Sequence, residues 1–61
     1  MTYDQTQALF DAMLDLETYS KMYQREMCSA APDWEATGRY THYITVARKK
    51  IFNLVGASHA E

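Results

Sequence analysis

The sequence predicts an all-α protein, an antiparallel hairpin of two long helices, and three observations carry that reading. Two glycines and one proline in 61 residues leave the chain few places to turn. No segment alternates polar and apolar residues for long enough to line a sheet. On either side of Pro32, apolar residues recur at alternating steps of four and three, the spacing of one side of an α-helix.

The first helix is expected over about residues 3–31. Thr2 with Gln5 three residues later forms a capping box, in which hydroxyl and side-chain amide each satisfy a backbone N–H that the first turn leaves without a partner. Asp4 adds negative charge at the end of the helix dipole that favours it. Leu9, Met13, Leu16, Ser20, Tyr23, Met27 and Ala30 then form the expected seam. Pro32 disfavours helical geometry at Ala31 and suits only the first turn of a new helix, which places the break near residue 32.

A second helix is expected over about residues 33–55, with Asp33 as its N-cap or an early acid and Trp34 and Glu35 opening it. Its seam is Tyr40, Ile44, Ala47, Ile51 and Leu54. Gly56 is the expected C-cap, Arg48, Lys49 and Lys50 lie where positive charge offsets exposed carbonyls, and residues 57–61 are expected to fray. Gly38 is the weak point, since glycine inside a helix costs about 1 kcal/mol relative to alanine. A helix beginning after it is the alternative.

At 7.1 kDa the chain is expected to form one domain, residues 1–61. Burial supplies about 90 kcal/mol and ordering the chain costs about the same, so a lone monomer is marginal. Cys28 is the single cysteine and cannot close an intrachain disulfide, and one thiol with His42 and His59 far apart is no zinc site. Association is the remaining route to stability. Leu9, Phe10, Ala12, Met13, Leu14 and Leu16 surround much of the first helix, more than one partner helix covers, and Phe52 and Val55 stand beside them in a hairpin. The expected dimer interface is therefore Leu9, Phe10, Met13, Leu14, Ile51, Phe52 and Val55, closing a four-helix bundle by two-fold symmetry. The plainer alternative is that Phe10, Leu14, Phe52 and Val55 widen the intrachain contact.

Nothing in the sequence has the pattern of a catalytic, cofactor-binding or metal site, so the expectation is a non-enzyme without cofactor. Asp4, Asp11 and Asp15 share a helical face, which reads as a solvated face sooner than as a cation site, and Cys28 reads as a small buried filler. Glu17 and Lys21, four apart, read as a solvated pair. Aromatic residues make up 13% of the chain, more than two helices can enclose, and Tyr19, Met22, Trp34 and Tyr43 lie off or beside the seams. Tyr and Trp bring large contact area with few rotors, so these four are the expected partner-binding residues. Arg39, His42 and Lys49 share an outward face and form the alternative, a nucleic-acid contact. Against it, the three consecutive bases at 48–50 point in three directions, and basic residues near a helix C-terminus have a structural reason to be there.

The expected function is thus a small helical adaptor or inhibitor that homodimerises and occupies a surface on a larger protein. Compact chains of this kind are common among phage and mobile-element regulators. The alternative is a dimeric nucleic-acid-binding regulator. The net charge of −2 suggests neither a nucleic-acid mimic nor a general polyanion binder. With no apolar run near the ~18 residues of a membrane span and no basic-then-apolar start, the expected location is cytoplasmic.

Overall fold

The computed structural model describes residues 1–60, with side chains through Ala57. Two helices, α1 (Tyr3–Met27) and α2 (Trp34–Ala60), pack against each other as a hairpin, and no strand occurs among the described residues. The capping box forms as expected: the Gln5 N–H donates to Thr2 Oγ1 at 3.1 Å and the Thr2 N–H to Gln5 Oε1 at 2.9 Å.

α1 ends at Met27, four residues before the expected limit. Its final N–H groups close a tight turn, with the Cys28 N–H donating to the Gln24 carbonyl at 3.0 Å and the Ser29 N–H to the Glu26 carbonyl at 3.1 Å. Reversing the chain between two packed helices takes the residues from 28 to 33, so the break contains Pro32 but opens earlier than expected, at Cys28. Cys28 is exposed at the C-cap, which corrects its reading as buried filler.

Asp33 caps α2, its Oδ1 accepting from the Glu35 N–H at 3.0 Å and the Ala36 N–H at 3.2 Å. A capping box would place Glu or Gln at position 36, where this chain has Ala36. Glu26 supplies the missing acceptor from α1, its Oε1 taking the Asp33 N–H at 2.6 Å. One carboxylate thus ties the end of the first helix to the start of the second. α2 begins before Gly38 and continues through Gly56, and neither glycine has positive φ, so Gly56 is no C-cap. Of the expected frayed tail, α2 includes residues up to Ala60, while Glu61 lies outside the described residues.

The buried residues are small: Ala12, Ala36, Thr37 and Ala47. Small side chains at the contact let the two backbones approach closely. Around them α1 contributes Gln5, Leu9, Leu16, Tyr19, Tyr23 and Glu26, all half-buried, and α2 contributes the half-buried Tyr40, Ile44, Ile51 and Leu54. The α2 seam is the expected one. The α1 seam is rotated, with Ala12 and Tyr19 facing inward while Met13 and Met27 are exposed, and Ala30 lies beyond the end of α1, exposed in the turn.

The result is a rod of 48 × 15 × 12 Å. Its radius of gyration of 14.1 Å exceeds the ~10.5 Å of a compact domain this long. Its accessible surface is 4803 Å², against ~4,100 Å² for a typical folded chain of this mass.

Candidate interaction interface

Large apolar side chains lie outside. Phe10 is 60% exposed, Leu14 62%, Trp34 69% and Phe52 78%, and Met13, Met22, Tyr43 and Val55 are exposed as well, while Ala12 in the helix contact is 2% exposed. At 3.6 residues per turn these residues sort onto the two flanks of the rod and its outer faces.

One flank carries a groove of about 390 Å³ lined by Leu16, Arg48, Ile51, Phe52 and Val55. Helical spacing places Met13 beside it on α1, with Phe10 further round towards the outside, so the end of the hairpin farthest from the turn is apolar on both helices. Towards the turn the same flank becomes hydroxyl-rich, with Ser20 and Gln24 on α1 and Thr41 and Thr45 on α2. The threonines make few demands on a partner. Thr41 Oγ1 donates to the Thr37 carbonyl and Thr45 Oγ1 to the Thr41 carbonyl, each at 2.9 Å.

The opposite flank has a groove of about 380 Å³ lined by Ala8, Asp11, Ala12, Asp15, Lys50, Asn53 and Leu54. It is charged at the open end and aromatic further along, where the Tyr19 and Tyr43 rings pack with centroids 4.8 Å apart. His42 lies beside Tyr43 at 5.9 Å between centroids. Met22 projects from α1 on this same flank, by its spacing from Asp11 and Asp15.

Among the residues singled out as a dimer interface, Phe10, Met13, Phe52 and Val55 share the first flank, with Leu9 and Ile51 half-buried at its inner edge. Leu14 points away from α2, nine residues and half a turn from Tyr23 in the helix contact. Among the residues singled out for a partner, Tyr19, Met22 and Tyr43 come together, and Tyr19 is a half-buried seam residue. Trp34 does not join them, because it stands nine residues from Tyr43 on α2 and projects the opposite way. Phase along one helix carried that information in the sequence itself.

Arg39, His42 and Lys49 lie on the outer side of α2. Arg39 pairs with Glu35 at 3.7 Å, and Lys21 with Glu17 at 2.9 Å, both exposed i,i+4 pairs of small energetic weight. Lys49 has no carboxylate within 4.0 Å among the described residues. Among those residues, no three His, Cys, Asp or Glu side chains come together to hold a metal ion, and no helix is long and apolar enough to cross a membrane. The His59 side chain lies outside the described residues. No family model, curated protein or solved structure matches this chain.

Proposed function

We propose that this chain is a non-enzymatic helical interaction protein that pairs with a second copy into a four-helix bundle and occupies a surface on a larger protein. The observation that supports the reading is the inversion of size across the surface: alanines fill the helix contact while Phe10, Met13, Phe52 and Val55 stand in water on one flank. Soluble monomers rarely leave a contiguous apolar patch of this kind uncovered. Self-association through that flank leaves Tyr19, Met22 and Tyr43 on the other flank for a different protein, as rigid aromatic area beside an adaptable thioether.

Sedimentation equilibrium across micromolar concentrations tests the first half of the proposal, with a dimer expected and a well-folded monomer overturning it. For the second half, a partner captured by the immobilised protein is expected to survive nuclease treatment and to be lost with Tyr43→Ala. The alternative, nucleic-acid binding through Arg39, His42 and Lys49, draws on Lys49, which has no carboxylate within 4.0 Å among the described residues. It requires affinity that falls steeply with salt, and Lys49→Ala would then flatten that slope by about one unit.

A further inference from the structure

We infer that the two copies lie side by side and point the same way, with the two-fold axis parallel to the hairpin, so that α1 of each copy faces α2 of the other through the Phe10, Met13, Phe52 and Val55 flank. The inference rests on the self-association proposed above and specifies its geometry.

Area sets the first constraint. The rod exposes roughly 700 Å² more than a typical folded chain of its mass, close to the ~800 Å² that each partner contributes to a standard interface. Covering that much of a rod 48 Å long and 15 Å wide requires overlap along most of its length. A staggered pair, joined only at the apolar ends, would overlap half the length and fall well short.

The gradient along the flank sets the second. In full overlap, copies pointing in opposite directions would press Phe10, Met13 and Phe52 against Ser20, Gln24 and Thr41 of the other copy. Copies pointing the same way match apolar end to apolar end. They also set the threonine column, whose hydroxyls already donate to their own backbone, against the polar Ser20 and Gln24 of the other copy. Every neighbouring pair of helices in the bundle is then antiparallel, which suits their dipoles.

The phase of α1 sets the third. The strongest apolar seam in its sequence, Leu9, Met13, Leu16, Tyr23 and Met27, is rotated by about 40° from the line that α2 covers, towards the apolar flank. A helix with neighbours on two sides directs its apolar seam between them, at the bundle axis. The rotation that looks like a mismatch in the isolated hairpin is the orientation a four-helix bundle needs. Arg48 also fits. It lines the apolar groove with no carboxylate within 4.0 Å among the described residues, and in this arrangement it comes within one turn of the level of Glu17 on the second copy.

The test uses Cys28, the single and exposed cysteine, at the turn end of the rod. The full chain carrying a nitroxide at Cys28, with helicity checked by circular dichroism, is examined by sedimentation equilibrium and by double electron–electron resonance. Copies pointing the same way hold both labels at one end, with a distance distribution centred below about 35 Å. A dimer with a longer distance overturns this arrangement and leaves the proposed self-association standing. A folded monomer overturns both.

Discussion

The two flanks of the hairpin carry opposite gradients. One is apolar at the open end and hydroxyl-rich towards the turn, with Phe10, Met13, Phe52 and Val55 giving way to Ser20, Thr41 and Thr45. The other is charged at the open end, with Asp11, Asp15 and Lys50, and aromatic further along, with Tyr19 packed on Tyr43. The same pair of helices supports both, because a helix contact built on Ala12, Ala36 and Ala47 covers only a narrow strip of each and leaves the rest of the circumference uncovered. The difference is what the proposed division of tasks rests on: large uncovered hydrophobes on one flank have the chemistry of a permanent interface, and charge mixed with aromatic area on the other has that of a selective contact.

Charging the apolar flank should have the largest effect. Met13→Glu combined with Phe52→Glu is expected to abolish the dimer and to lower helicity at micromolar concentration, read by sedimentation and circular dichroism. Asp15→Asn on the opposite flank should leave both unchanged. Equal sensitivity on the two flanks would break the comparison. Next in size is the aromatic pair. Tyr43→Ala, which removes the ring that packs on Tyr19, is expected to weaken partner binding by about 2 kcal/mol or more while the dimer persists, measured by calorimetric titration against the captured partner. Loss of the dimer in that variant would show that the flanks are not independent.

Two smaller effects act on both flanks alike and so separate stability from recognition. Asp33→Ala removes the acceptor for the Glu35 and Ala36 N–H groups and should cost about 1 kcal/mol, lowering the melting temperature by roughly 4–8 °C. Gly38→Ala should act in the opposite direction by up to about 1 kcal/mol, because Gly38 sits inside α2 with helical backbone and a Cβ there meets nothing within 4 Å. Thermal melts at matched concentration check both. Neither change should alter the ratio of self-association to partner binding beyond what the stability shift explains.

Local chemistry was legible from the sequence. The Thr2–Gln5 box and the Asp33 cap depend on residues within a few positions of one another, and the α2 seam of Tyr40, Ile44, Ala47, Ile51 and Leu54 is a plain 3.6-residue repeat. The helix ends were less legible. Gly56 has the composition of a cap, but a glycine stops a helix only when the chain takes a left-handed turn there, and this one remains helical. The Glu26 contact to the Asp33 N–H spans seven residues and two helices, so no local pattern announced it.

What the sequence by itself determined is that there are two amphipathic helices, where the first begins, and that they carry more apolar surface than one hairpin can hide. The tertiary structure alone decided which part of that surface is inside. Periodicity reports the summed apolar direction of a helix over all its neighbours, and for α1 that sum runs through Leu9, Met13, Leu16 and Tyr23. α2 is only one neighbour. Packing against it selected Ala12 and Tyr19, because close approach of two backbones favours a small side chain at the contact and leaves Met13 and Phe10 outside to meet whatever lies on the other side.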